Sequence, residues 1–122
     1  MIGSIVAGLG GCAFVAIGIG ALVAPGTSGE QYGLPTTDPT ALALVRAIGA
    51  RDLVLGIIIL MLLAGRERNA LELVLSVSIL AAVGDAAAVK SARRDAGPRQ
   101  LAVHVGGAAA LLLASRLVRE GR

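Results

Sequence analysis

The chain has 122 residues, which is room for one domain, and 56% of them are hydrophobic, with a mean hydropathy of +0.83. These values lie above the range of soluble globular domains. The formal net charge is +3, and there is one Phe, one Tyr and no Trp. Basic residues at the flanks of apolar segments, without aromatic stacking residues, are typical of membrane proteins and not of nucleic-acid-binding proteins. We therefore expect an integral membrane protein that contacts the lipid bilayer and no nucleic acid.

Four apolar segments are long enough to cross a bilayer as helices, since a hydrocarbon core of about 30 Å needs about 20 residues. They predict an all-α, antiparallel up-down-up-down bundle in a single transmembrane domain, with spans at 2–24, 39–64, 70–89 and 99–118. The first span lacks the basic start of a signal peptide, so we expect it to be retained. Two ladders of small residues on it predict close helix contacts. They are Gly8, Cys12, Ala16 and Gly20, and Gly3, Ala7 and Gly11.

The first connection, 25–38, is polar and rich in turn residues. Its length favours a lid or binding loop, with a disordered connector as the alternative. Asp38 before Pro39 predicts the N-cap and first residue of the second span, and Asn69 with Glu72 predicts a capping box on the third. Basic residues are nearly balanced between the two sides of the membrane, and the lack of any in 25–38 favours an orientation with both termini in the cytoplasm. We expect the membrane to be a bacterial inner membrane or a plasma membrane.

Ionisable residues within the spans predict a functional site. The second span contains Arg46, Arg51 and Asp52, the third contains Asp85, and the fourth contains His104. Such residues cost roughly 2.5 to 3.5 kcal/mol each on insertion scales, so they are expected to face protein, water or a partner charge. Antiparallel threading places all five in one half of the bundle, at depths of roughly 6 to 18 Å.

The charges of this group balance, because two arginines face two aspartates, and His104 can hold or release a proton near neutral pH. Tyr32 lies above them in the first connection. The set predicts an acid and a base in one site. The sequence has no zinc-type ligand spacing, Ser-His-Asp order, phosphate loop or dinucleotide fingerprint, so we expect chemistry without a metal or cofactor. The alternative is that the paired charges only fix helix register.

The pattern Arg46-x-x-Gly49-x-Arg51-Asp52-x-x-x-Gly56, with Tyr32-Gly33-Leu34-Pro35 before it and Asp85 and His104 after it, resembles a known family. This is the group of small four-span membrane proteins catalogued as domain of unknown function 4267. The resemblance covers nearly the whole chain. It implies a four-helix transmembrane bundle, similar in layout to the DoxX-like and anthrone-oxygenase-like membrane proteins, and no settled activity.

The leading hypothesis is a membrane-embedded, cofactor-independent acid/base enzyme that acts on a lipophilic small molecule by isomerisation, cyclisation or epoxide opening. An arginine between two carboxylates is similar to the arrangement in limonene-epoxide-hydrolase-type enzymes. That similarity implies the following roles: Asp52 as base, Asp85 or His104 as acid, Arg51 as the bridge between them, and Arg46 and Tyr32 as substrate-orienting groups. The alternatives are a small proton-coupled transporter that works as a homodimer, and a structural subunit of a larger membrane complex.

Overall fold

The computed structural model describes residues 2–121, which form five helices and no strand. In chain order the helices are α1 (Ile2–Val23), α2 (Pro25–Gln31), α3 (Pro39–Ala64), α4 (Arg68–Ala92) and α5 (Pro98–Glu120). All except α2 are long and apolar enough, by length and composition, to cross a membrane. The chain is therefore an all-helical integral membrane bundle, and its four long helices lie on the four predicted spans with ends that differ by a few residues.

The first connection contains a helix, so the prediction of an entirely loop-like segment at 25–38 was wrong for its first half. Pro25 begins α2, as its fixed φ angle favours at a first helical position. The helix ends where Gly33 adopts a left-handed conformation, with φ of +84°, and the Leu34 amide donates to the Gly29 carbonyl at 2.8 Å. We call residues 25–34 the roof segment.

The two predicted N-caps had different outcomes. Asp38 caps α3 as expected, because its carboxylate accepts a hydrogen bond from the Ala41 amide at 2.8 Å. The predicted capping box on the third span was wrong, since α4 begins at Arg68 and its N-cap residue, Glu67, makes no side-chain capping bond. Asn69 therefore lies two residues after the N-cap position and cannot cap this helix.

Helix α1 packs closely on α3 through glycines that let the two backbones touch. A Cβ atom on Gly18 would lie 2.5 Å from the Leu53 nitrogen, and one on Gly56 would lie 2.7 Å from the Gly11 oxygen. Such small-residue contacts are a common mode of helix packing in membranes. Of the two predicted ladders, the one ending at Gly11 is buried, whereas Cys12 of the other is exposed.

The other helix contacts complete the bundle in the order α3, α1, α5, α4. Ser76 of α4 and Ser115 of α5 share a hydrogen bond of 2.7 Å. Helices α1 and α5 approach closely at Gly3, where a Cβ atom would lie 2.6 Å from the Leu117 carbonyl carbon. The main apolar core lies in this half of the bundle, away from the roof segment. It is formed by Ala7, Ile59, Leu71, Leu75, Leu111, Ala114 and Val118.

Candidate functional site

A cavity of about 420 Å³ lies between the four long helices, beneath the roof segment. Its volume falls in the range of about 300 to 1,000 Å³ that is usual for small-molecule sites. Most of the residues that line it are apolar, including Phe14, Leu55 and Leu111. The lining residues with polar side chains are Tyr32, Arg51, Asp52, Ser78, Asp85 and His104.

Arg51 joins two carboxylates from different helices. Its Nη2 donates to Asp52 Oδ1 at 2.9 Å and to Asp85 Oδ2 at 2.7 Å. Its Nε donates to the same Asp52 oxygen at 3.1 Å, and its Nη1 donates to Asp85 Oδ1 at 3.1 Å. Since one nitrogen reaches both acids, their nearest oxygens cannot be farther apart than those two Nη2 bonds laid end to end. Asp52–Arg51–Asp85 is therefore one polar group in the wall of the cavity.

Helical geometry explains why Arg51 and Asp52, which are adjacent in sequence, point in different directions. Asp52 lies on the same stripe of α3 as Gly49 and Gly56, the stripe that packs against α1, and it is buried. Arg51 is rotated by about 100° from that stripe, towards α4. The Asp52 side chain is 8% exposed and that of Asp85 is 26% exposed. The two carboxyl groups thus share a partner but have different surroundings.

The roof segment is held by α4 and α5. His104 Nε2 lies 3.0 Å from the Tyr32 carbonyl oxygen, and because a carbonyl can only accept, Nε2 carries the hydrogen. Arg93 Nη1 donates to the Gly33 carbonyl at 3.2 Å. Gly33 also packs tightly, since a Cβ atom there would lie 2.9 Å from the Gln100 carbonyl oxygen. These contacts place the Tyr32 side chain at the top of the cavity.

The Tyr32 hydroxyl is buried and has no hydrogen-bond partner within residues 2–121. A buried polar group without a partner is uncommon and costly, typically by about 1 to 3 kcal/mol. Burial, and after it the nearby Asp52 carboxylate, raise the pKa of Tyr32 from its ordinary value of 10.0 to about 12. The phenol is therefore a proton-bearing donor whose hydrogen bond is not used within residues 2–121, in a side chain that lines the cavity.

This raised pKa can be measured directly, because the chain has one tyrosine and no tryptophan. In a spectrophotometric titration of the protein in detergent, we expect Tyr32 to ionise near pH 12. The folded protein holds the phenol proton more tightly than the unfolded chain does, because its pKa is higher in the folded state. The neutral phenol therefore contributes its full stabilisation below pH 10, and this contribution is lost as the pH rises from 10 to about 12. The unfolded chain should titrate near pH 10, and the same midpoint in the folded protein would contradict the buried placement.

Of the six predicted site residues, the structure brings five to the cavity and leaves one out. Tyr32, Arg51, Asp52, Asp85 and His104 all line the cavity. Arg46 is exposed and does not line it, so the expectation that it lies with the others was wrong about its position.

Other contributors were not predicted. Arg93 holds the roof segment through the Gly33 carbonyl, and no local pattern indicates a bond to a residue sixty positions away. Gly10 and Gly107 give the cavity part of its space, because a Cβ atom on either would meet nothing within 4 Å. No cluster of three or more His, Cys, Asp or Glu residues within 2–121 is placed to hold a metal ion.

Comparison with known proteins gives a family and no activity. No curated protein and no solved structure matches the chain. The family model described as Domain of unknown function (DUF4267) matches residues 11–118, a region that includes the roof segment and all six residues of the polar lining named above. The chain therefore belongs to the DUF4267 family of proteins.

Proposed function

We propose that the protein is a membrane-embedded acid/base enzyme that acts on a lipophilic small molecule without a cofactor, by isomerisation, cyclisation or epoxide opening. The observation that carries the proposal is the Asp52–Arg51–Asp85 group in the wall of a cavity whose remaining lining is mainly apolar. Structural charge pairing needs one acid for one arginine. The second carboxylate, and the space in front of the group, favour chemistry over a purely structural role.

The balance of protons at the site supports this class of reaction. With one proton on the two aspartates, the three side chains carry no net charge, and the site then contains both a proton donor and a proton acceptor. In an isomerisation or cyclisation, the substrate receives one proton and releases another. In epoxide hydrolysis, the epoxide oxygen receives a proton while the attacking water loses one. Each reaction leaves the number of protons on the pair unchanged, so none needs a redox partner.

The hydrogen bonds support one division of roles between the two aspartates. Arg51 binds Asp52 through Oδ1 alone, and within residues 2–121 no donor is bonded to Asp52 Oδ2, so this oxygen is free to accept a proton as the base. Asp85 is the acid in this scheme, because it can hold a proton on one oxygen while the other keeps its bond from Arg51. His104 holds the roof segment through Nε2, which leaves the acid role to Asp85.

Tyr32 orients the substrate in this scheme. Its unpartnered hydroxyl can donate a hydrogen bond to an oxygen atom of the bound molecule. Such a bond would hold that oxygen at the top of the cavity, on the same side as the Asp52–Arg51–Asp85 group.

The test uses the purified full chain in lipid nanodiscs with a panel of lipophilic epoxides that includes limonene epoxide, in oxygen-18-labelled water. We expect a diol with one labelled oxygen, or a rearranged isomer without label, detected by mass spectrometry. A carrier would instead show no conversion and would move protons only in sealed vesicles with a gradient. That result, or co-purification with a larger complex and no conversion, would overturn the proposal.

We also propose that both termini face the cytoplasm. The segment 25–38 contains Glu30 and Asp38 and no basic residue, which favours an outward position under the positive-inside rule. The test uses Thr37→Cys, at an exposed position, in a Cys12→Ser background. If 25–38 faces outward, an impermeant maleimide labels this cysteine in intact cells. Formation of a homodimer stays a prediction.

A further inference from the structure

The ionisable side chains of the lining occupy one end of the cavity, and Ser78, farther along α4, donates its hydroxyl hydrogen to the Val74 carbonyl. His104 on α5 and Asp85 on α4 lie at that end, and along the same helices the lining continues to Ala114 and Leu75. Each continuation is about ten residues long, which corresponds to about 15 Å of helix. The far end lies against the apolar core, which includes Leu111. The cavity thus has a polar head region under the roof segment and an apolar extension.

The cavity lining includes exposed side chains of both α1 and α5. Leu9 of α1 and Val103 of α5 both line it and are 67% and 43% exposed. Glycines of α1 pack against α3 at several levels, whereas Gly3, at the far end, is the one described glycine of α1 whose added Cβ would meet α5. The exposed side chains of the lining face the surroundings of the bundle, which for a transmembrane helix pair is lipid.

We infer that the cavity takes an uncharged amphiphile, with a compact oxygen-bearing head and a single apolar chain, that enters sideways from the bilayer between α1 and α5. Calling this molecule the substrate rests on the proposed function, whereas its binding does not. The head lies against Tyr32 and Arg51, and the chain lies along the apolar extension between α1 and α5.

Charge explains why the head is uncharged. Arg51 is already paired with two carboxyl groups, those of Asp52 and Asp85, so it has no unpaired positive charge to offset an anionic head. A hydroxyl, carbonyl or epoxide oxygen instead accepts the free hydrogen bond of the Tyr32 phenol. The alkyl chain of the bound molecule adds little affinity, because the lipid that it leaves is as apolar as the cavity that it enters. The head group therefore determines which molecules bind, and the alkyl chain determines that they enter from the bilayer.

Four glycines allow a matched test of this route. A Cβ atom on Gly10, Gly84, Gly106 or Gly107 would meet nothing within 4 Å, so a larger side chain is accommodated at each. Gly10 and Gly107 line the cavity on the two helices that flank this route, whereas Gly84 and Gly106 do not line it. Leucine at the first two should obstruct the route, and leucine at the other two should project away from it.

The experiment uses the full chain in nanodiscs and tetradecanol that carries a mid-chain diazirine, with the matching myristate as a charged control probe. After irradiation, mass spectrometry measures label on cavity-lining peptides that contain Phe14 or Leu111. We expect the alcohol to label these at least fivefold more than the myristate does. Gly107→Leu should reduce that label at least fivefold, and Gly106→Leu should leave it within twofold.

Each remaining result has a defined meaning. Equal labelling by both probes would overturn the uncharged head, and equal labelling in both variants would overturn the lateral route. If Gly107→Leu does not fold, Gly10→Leu against Gly84→Leu repeats the comparison from the other helices. Labelling as expected in a protein that converts none of the epoxides would contradict the proposed function alone. Conversion with no effect of either cavity leucine would contradict the lateral route alone.

Discussion

Replacing Asp52 by asparagine should reduce turnover about a hundredfold to ten-thousandfold, the usual contribution of a general base, while the bundle stays folded. The amide has the same shape as the carboxyl group, and its oxygen can still accept a bond from Arg51, but it cannot take up a proton. Arg51 also keeps its ion pair with Asp85. The rate of conversion of the best epoxide in nanodiscs measures the effect, and size-exclusion elution with thermal unfolding checks the fold.

Asp38 provides the matched control, because it is an exposed aspartate whose carboxylate caps α3 outside the cavity. Asparagine caps helices about as well as aspartate does, so Asp38→Asn should change neither turnover nor stability. Wild-type turnover in Asp52→Asn would remove Asp52 from the mechanism. An equal loss in both variants would mean that the effect is not specific to the cavity.

The largest effect on stability is expected for Gly18→Ala. The added Cβ atom would lie 2.5 Å from the Leu53 nitrogen and 2.6 Å from the Gly49 oxygen, and both of these are backbone atoms that cannot rotate away. Helices α1 and α3 must therefore separate, at a cost of about 1 to 3 kcal/mol or more, as for overpacked cores. The free energy of unfolding in mixed detergent micelles measures this cost.

Gly106→Ala is the control for the same substitution on a helix surface. No atom lies within 4 Å of the position of its Cβ, and alanine is the better helix former by about 1 kcal/mol, so the stability of this variant should be unchanged or slightly higher. Equal stability of Gly18→Ala and Gly106→Ala would contradict the close packing of α1 on α3.

The four spans could be predicted because the bilayer fixes both the length and the polarity of a crossing helix. Asp38 could be predicted as a cap because capping depends only on local chemistry. The grouping of Arg51, Asp52, Asp85 and His104 at one cavity followed from the cost of separate charges in lipid. These predictions rest on rules that hold for a single helix or for its transfer into the membrane.

Arg46 is an exception to the rule that a charged residue within a span lies at the site. It lies nearer the start of α3 than Arg51 does, and at such a position a long arginine side chain can reach the interface without a partner. Depth was also misjudged, because counting residues along each span from its start places Asp52 well below Asp85, whereas Arg51 bonds to both. Gly29 of the roof segment packs at Val45, so the first turns of α3 extend past this segment, and counting from Pro39 overstates the depth of Asp52.

The contacts between elements could not be predicted from local patterns. Two glycine-containing ladders on α1 look alike in sequence, and only the position of α3 determines that Gly11 is buried while Cys12 is exposed. The roof segment likewise depends on Arg93 and His104 from distant helices. The packing of α1 on α3 through Gly11 and Gly18, and on α5 through Gly3, also depends on both partner helices, and hydropathy does not indicate it.

The most direct test of the central claim, that Arg51 joins carboxylates across α3 and α4, is a charge-reversal cycle. Arg51→Asp and Asp85→Arg should each destabilise the protein, because each leaves like charges together. The double variant restores an Asp–Arg pair beside Asp52, so its loss of unfolding free energy should be smaller than the two single losses combined by about 0.5 to 3 kcal/mol. Losses that simply add would show that the two helices do not share this ion pair, and would contradict the site described here.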